Sequence, residues 1–404
     1  MIPFSPPFID DKIINEVIDT LKSGWITTGP KTKLFEKKIS EYVNNKATLC
    51  LNSATAGLEL MLRWYGVKEG DEVILPAYTY AATANVIIHC GAKPVLVDIA
   101  DDFNININLI KNAITNRTKV IMPVDIGGFP CDYDKIKEIL ENTETKKMFN
   151  PNSEEQKKLG RILLLSDSAH SIGAKYKNGF ASEQSDVSVF SFHAVKNLTT
   201  AEGGAVCLNL PLPFNNEEIY KELCILSLHG QNKDALAKAQ KGSWRYDIVN
   251  AGYKMNMTDI QASIGLVELE RYETQTLKRR KEIFEKYTSE LNKYKWALAP
   301  TVKTNEKETS YHVYLLRIKD ITEEQRDKII TKIFDKDVSV NVHFQPIPLL
   351  SFYKNLGYNI NDYANSFKLY SQEISLPVYY TLTDEQIKIV LNAVISSVEE
   401  ELYA

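Results

Sequence analysis

The chain contains no apolar run approaching the ~20 residues needed to cross a bilayer. Its charges nearly cancel, 48 basic residues against 52 acidic ones, so no positive excess draws it toward nucleic acid or an anionic membrane surface. Its five cysteines, Cys50, Cys90, Cys131, Cys207 and Cys224, are scattered, odd in number and form no CxxC pair. That argues against a disulfide framework or a zinc site and fits a reducing compartment. The opening stretch MIPFSPPFIDDK has no basic region followed by a long apolar run, so no signal peptide is expected. Solenoid-spaced repeats and long low-complexity tracts are absent as well. These absences together predict a cytoplasmic protein that engages neither nucleic acid nor membrane and holds no metal.

The chain does have length and alternation. Its 404 residues predict two or three domains with ample core. From about residue 45 to 210, β-rich runs (ATLCLNS, DEVILPA, AKPVLVDI, TKVIMPVDI, RILLLSD, DVSVFSF) alternate with helical patterns (ATAGLELMLRWYG, YAATANVIIHCG, DYDKIKEILEN). Near-continuous apolar strands alternating with helices predict an α/β fold with a mostly parallel sheet covered on both faces. Residues 141–160, ENTETKKMFNPNSEEQKKLG, read as a solvated polar excursion. Residues 212–260 are mixed, with a polar stretch around DALAKAQKGSWRYD, and a helical segment follows from Thr258 to about Leu291. Beyond it, YHVYLLRI and VSVNVHF read as strands of a smaller α+β unit, closed by the helix TDEQIKIVLNAVISSVEEEL. The texture changes between 255 and 290.

Ligands of open parallel sheets bind at the carboxyl ends of the strands. After ATLCL comes NSATAG, whose Ser53, Ala54 and Thr55 open a helix; this is either an anion site built on the helix N-terminus or an ordinary cap by Ser53 or Thr55. After DEVILPA come Tyr78 and Tyr80, placed either to stack on a planar ring or to pack the core. RILLLS delivers Asp167, with His170 three residues on. A carboxylate there needs a cationic or N–H partner, unless it caps a turn. DVSVF delivers Ser191, His193 and Lys196. A lysine close to a core loses hydration, its pKa falls, and its amine becomes able to hold a carbonyl as an imine; the alternative is a surface lysine. One cofactor satisfies all four strand ends. Pyridoxal 5'-phosphate (PLP) needs an imine lysine, a carboxylate on its pyridine nitrogen, an aromatic on its face and small hydroxyl-rich groups at its phosphate.

Over nearly its whole length the chain resembles the DegT/DnrJ/EryC1/StrS family of PLP-dependent nucleotide-sugar aminotransferases. SGWITTGPK, NSATAGLEL, GDEVILPAYTYAATAN, GAKPVLVDI, LLSDSAHSIGA, SFHAVKN followed by TTAEGGAV, AGYKMNMTDIQASIGLVEL and VNVHFQP carry the resemblance. Within the family, SGWITTGPK, NSATAG and GYKMNMTDI resemble the branch of UDP-4-amino-4-deoxyarabinose aminotransferases. The resemblance implies a fold-type I transferase. Its large domain, residues 1–265, would hold a mostly parallel seven-stranded sheet, and residues 266–404 a smaller α+β domain. It further implies that Lys196 carries the cofactor and shuttles protons, and that Asp167 keeps the pyridine nitrogen protonated. Tyr80 would stack on the ring, and His170 would lie near it. Ser53, Ala54, Thr55, Ser191 and His193 would complete the cofactor shell. Lys254 or Asn256 would reach the partner's phosphate across a homodimer. Trp25, Thr27, Thr28 and Arg245 are the implied holders of the nucleotide sugar; a guanidinium suits a diphosphate. His343 and His312 are substrate candidates or satisfied structural histidines. L-glutamate would be the amino donor and pyridoxamine 5'-phosphate the intermediate form, in the making of amino sugars for lipopolysaccharide, O-antigen or another glycan.

Two departures stand out. The excursion at 141–160 is longer than usual in the family, and Asp125 in VDIGGFP stands where relatives often have histidine. The rival readings are another fold-type I enzyme, desulfurase- or decarboxylase-like, or a PLP-binding regulator without turnover. A regulator should carry a DNA-binding helix pair and a basic patch, and neither is present. Sugar dehydratase relatives have lost the lysine to histidine, so Lys196 favours transamination.

Overall fold

The computed structural model describes residues 1–233 and 245–403. Of the polar stretch around DALAKAQKGSWRYD, residues 234–244 lie outside the described residues. Seven strands build the main sheet: β1 (Ala47–Leu51), β2 (Glu72–Pro76), β3 (Lys93–Val97), β4 (Thr118–Ile121), β5 (Leu163–Asp167), β6 (Val187–Ser191) and β7 (Gly204–Leu208). Their order is β1-β7-β6-β5-β4-β2-β3. Strands β3, β2, β4, β5 and β6 pair in parallel, whereas β7 runs antiparallel to both β1 and β6. β1, β2, β4 and β5 are buried at every position, which is why they read as unbroken apolar runs, and β7 is buried at every position as well. The helices Ala54–Trp64 and Ala81–His89 carry the chain from β1 to β2 and from β2 to β3. The sheet therefore sends the carboxyl ends of β1, β2, β5 and β6 to one edge.

Helix Asp259–Arg271 starts with a reciprocal cap between Thr258 and Gln261. It continues through a π-helical turn, Tyr272–Leu277, into helix Lys278–Leu291. The expected division at 265/266 thus falls inside a helix. Beyond it, β8 (Ala297–Leu298), β9 (Tyr314–Ile318) and β10 (Glu373–Leu376) form a small antiparallel sheet in that order. Helices Glu323–Phe334 and Asp384–Leu402 accompany it. One apolar cluster joins Phe35, Phe192, Phe284, Tyr287, Leu316 and Val394, so these elements share a core with helix Pro30–Val43. Among the described residues no helix is long and apolar enough to cross a membrane.

Two sequence readings change. VSVNVHF forms only isolated bridges, Ile2 with Val338 and Asn341 with Ser375; the strand beside β9 is instead EISL of β10. Stretch 141–160 is not a bare excursion. Asn142 and Ser153 cap two short helices, Thr143–Met148 and Glu154–Leu159. Ser153 Oγ and Gln156 Nε2 both donate to the carbonyl of Tyr65, tying the stretch to the end of helix Ala54–Trp64.

Candidate active site

The strand ends meet at a cavity of about 460 Å³. Ser53, Ala54, Thr55, Tyr80, Asp167, His170, Ser191, His193, Lys196, His312 and His343 all line it. The cavity therefore gathers four of the chain's six histidines, making it the one concentration of imidazole in the chain.

Ser53 caps the helix Ala54–Trp64, its Oγ accepting from the N–H of Ala56 at 3.0 Å. That turn comes unusually close to β7. A methyl group built on Gly204 would stand 2.4 Å from the backbone nitrogen of Ala54. Only glycine lets the first turn seat against the sheet here, with its N–H groups opening at the cavity wall.

Asp167 ends β5 and is buried. Its Oδ2 accepts from the Thr83 hydroxyl at 2.8 Å and its Oδ1 from the N–H of Ala169 at 3.2 Å. Burial pushes its pKa up, while those two donors and Lys196 pull it back. Lys196 is pushed down to about 8, by desolvation first, with Asp167 opposing. Among the described residues no hydrogen bond or salt bridge ties down its Nζ.

His170 is buried and held well below the usual imidazole range by burial, then by Lys196 and His343. Its Nδ1 accepts from the N–H of Gly127 at 3.3 Å, which leaves the ring proton on Nε2. Phe344 stacks on it at 5.6 Å, and His312 lies 4.4 Å away, ring to ring. His312 Nδ1 meets Asn197 Oδ1 at 2.8 Å. His343 stacks on Phe4 at 5.4 Å, and its Nδ1 meets Ser375 Oγ at 2.9 Å. His193 is more open, with Nε2 3.6 Å from Glu202.

The tyrosines divide. Tyr78 is fully buried and donates to the carbonyl of His343, whereas Tyr80 is 63% exposed at the cavity, 5.8 Å from the Phe344 ring. Asp125 is buried outside the cavity lining, accepting from Cys131 N–H and from the Tyr133 and Ser171 hydroxyls.

The other predicted residues do not line this cavity. Trp25 Nε1 donates to the carbonyl of Thr28. Thr28 Oγ1 donates to the carbonyl of Met257 and accepts from Asn256 Nδ2. Lys254 Nζ donates to Asn256 Oδ1 at 2.6 Å, and the carbonyl of Thr27 accepts from Asp259 N–H. Trp25, Thr28, Lys254 and Asn256 form a separate hydrogen-bonded cluster, with Thr27 tied to Asp259 beside it. Arg245 is exposed.

The sequence reading missed Thr83, Phe4, Phe344 and the pair Glu373–Ser375. Thr83 had a signal, lying three residues past Tyr80 in the first turn of a helix that starts at a strand end. Phe344 also had one, following directly on His343, whereas Phe4 joins the lining from the start of the chain and Glu373 and Ser375 reach the site only through His343.

The signature of the DegT/DnrJ/EryC1/StrS aminotransferase family matches residues 7–149 and 153–395. Over its full length the chain superposes on a Streptococcus pneumoniae protein, Spr1654, assigned as a sugar aminotransferase and solved in its PMP form, with 47% identity, TM-score 0.96 and 100% of both chains covered. It is 36% identical to the spore coat polysaccharide biosynthesis protein SpsC of Bacillus subtilis, covering 97% of this chain and 96% of that one. Helicobacter pylori PseC, an aminotransferase involved in the biosynthesis of pseudoaminic acid, is 26% identical with a TM-score of 0.86 and 99% of each chain covered. The chain belongs to the DegT/DnrJ/EryC1/StrS aminotransferase family.

Proposed function

We propose that the chain is a PLP-dependent sugar aminotransferase. It moves the amino group of L-glutamate to a keto group, at C4, of a nucleotide-diphosphate-linked deoxy-keto-sugar. The observation that carries this reading is the meeting of Lys196 and Asp167, from the ends of neighbouring strands, in one cavity with the Ser53 helix N-terminus. Spr1654 has been solved in PLP and PMP forms, and the names of SpsC and PseC concern polysaccharide and sugar biosynthesis, which supports it.

The residues fit the cofactor. A buried carboxylate with two hydrogen-bond donors and no salt bridge still has room for a cationic N–H, and a helix N-terminus seated by Gly204 suits a phosphate. When bound, PLP supplies an aldehyde for amines and a ring that delocalises negative charge. Lys196 Nζ, with its pKa near 8, is neutral often enough at physiological pH to act as nucleophile and base. In each half-reaction it removes a proton from the carbon that gives up the amine and delivers one to the carbon that receives it. Asp167 would hold the protonated ring nitrogen of bound PLP, whose charge would keep the carboxylate ionised, and Thr83 fixes its orientation. Neutral His170 donates from Nε2. Ser53, Ala54, Thr55, Ser191 and His193 would hold the phosphate end, and Tyr80 would cover the ring.

Donor and acceptor use the cavity in turn, giving ping-pong kinetics. Lys254 or Asn256 reaches the cofactor phosphate of a second copy in a homodimer, and Trp25, Thr27 and Thr28, with Arg245, hold the nucleotide sugar. The C4 position and a UDP carrier rest on the likeness of SGWITTGPK, NSATAG and GYKMNMTDI to the aminoarabinose branch.

Borohydride reduction of the PLP-loaded protein followed by peptide mapping tests the site: the pyridoxyl group should sit on Lys196. A label on any other lysine overturns the assignment. Incubating the glutamate-treated enzyme with UDP-linked and dTDP-linked 4-keto-sugars should give the 4-amino-sugar with one of them. Amination of the corresponding 3-keto-sugars, with the 4-keto-sugars left untouched, would overturn the regiochemistry.

A further inference from the structure

His343 is a cavity imidazole linked through a hydroxyl to a buried carboxyl group. It sits beside Lys196 in the lining, and its Nδ1 lies 2.9 Å from Ser375 Oγ. Ser375 Oγ lies 2.5 Å from Glu373 Oε1. Glu373 Oε2 accepts the backbone N–H of His343 itself at 3.0 Å. Glu373 and Ser375 are two residues apart on β10, so both side chains leave the same face of the strand. Both are fully buried.

The hydroxyl between them has a single proton, so the chain of contacts has two consistent states. With Glu373 ionised, Ser375 donates to it. The hydroxyl oxygen is then an acceptor, the imidazole must donate from Nδ1, and Nε2 is bare. With a proton on Oε1, Glu373 donates to Ser375 and Ser375 donates to Nδ1. The imidazole proton is then on Nε2. We propose that Glu373 is a positioning residue that sets, through Ser375, which tautomer His343 presents to the cavity. His343 thus offers the substrate a hydrogen-bond donor in one state and an acceptor in the other. What the imidazole meets there rests on the function proposed above; the tautomer control does not.

The surroundings favour a proton that comes and goes. Burial raises Glu373 to about 8, against the donors from Ser375 and His343 and the charge of Arg326. Arg326, on helix Glu323–Phe334, donates to the carbonyl of Glu373 at 3.4 Å and to that of Tyr370 at 2.7 Å. Tyr78 faces the group from the end of β2. His343 itself is lowered to about 4, by burial and then Lys196, so its ring stays neutral while Glu373 titrates.

Glu373→Gln gives a sharp test. The backbone N–H of His343 demands the amide oxygen at the Oε2 position, so the amide nitrogen falls against Ser375. That mimics the protonated acid at every pH. The full-length protein, 15N-labelled at histidine and assigned with a His343→Gln variant, would be followed by NMR from pH 6 to 10. The wild type should pass from the Nε2–H to the Nδ1–H tautomer with a midpoint near 8. E373Q should hold Nε2–H throughout, and Ser375→Ala should lose the exchange. Lys196 titrates in the same range in all three proteins, so only the difference from wild type is read. A wild type that keeps one tautomer, or an E373Q that still switches, overturns the proposal. Because no turnover is needed, a protein that switches tautomer but moves no amine supports this inference and overturns the proposed function instead.

Discussion

Gly204→Ala joins fold to site in a single methyl group. Gly204 pairs with Leu51 on one side and Ser191 on the other, so β7 is clamped between two strands. The added carbon would stand 2.4 Å from Ala54 N and 2.5 Å from the carbonyl carbon of Ser53, whereas ordinary contact begins at 3.4 Å. The clash is with backbone, and the strand cannot retreat. The first turn of helix Ala54–Trp64 must therefore lift by about 1 Å, since that is the shortfall in the contact. Overpacking of this kind costs about 1–3 kcal/mol in stability. A displacement of about 1 Å in a positioned site costs on the order of 100-fold in function. The assay is a PLP titration followed by absorbance, alongside a thermal melt. Gly57→Ala is the graded comparison, because its methyl would meet side chains rather than backbone, Val189 and Val206 at 2.9 Å and Leu51 at 3.7 Å. The expected order is wild type, then G57A, then G204A, in both affinity and melting temperature. A G204A protein with wild-type cofactor affinity would refute the claim that this helix N-terminus holds the phosphate.

Other consequences follow from the same contacts. Cofactor capture by the PLP-free protein should quicken with pH. With Lys196 near 8, its neutral fraction rises about tenfold from pH 7 to 9 and then levels, which stopped-flow absorbance would read. A rate flat across that range would contradict the lowered pKa. Thr83→Val removes a donor that favours ionised Asp167, so the acid limb of the pH–rate profile should move to higher pH, with kcat/KM falling about tenfold. Asp259, buried, accepts from the N–H groups of Gly29, Lys31 and Thr32 and from the Thr32 hydroxyl. Asp259→Ala strands those donors and should cost about 2–4 kcal/mol in urea unfolding; less than 1 kcal/mol would mean that water replaces the carboxylate.

Strands β1, β2, β4 and β5 were legible because both faces are covered, leaving no polar alternation to confuse the period. The residues after them were legible for the same reason: a polar group at the end of such a strand stands out. β7 was not, because it opens on glycine in a run of small residues whose role is close approach rather than apolar burial. VSVNVHF alternates as a strand should, yet it lies along the edge of β10 with isolated bridges, a choice made by tertiary contacts that alternation cannot express. EISL was hidden because it follows directly on helix Ala364–Gln372 without a turn residue between them. Phe4, Thr83 and the Glu373–Ser375 pair act through contacts between distant segments, and periodicity carries no record of those.

The most direct measurement is the absorbance spectrum of the PLP-loaded protein before and after L-glutamate, with Lys196→Ala beside it. The wild type should show a band near the visible edge that bleaches as 2-oxoglutarate appears, and K196A should show neither change. A wild-type band untouched by glutamate would contradict the proposed donor, and bleaching with 2-oxoglutarate release in K196A would contradict the role of Lys196 on which the account rests.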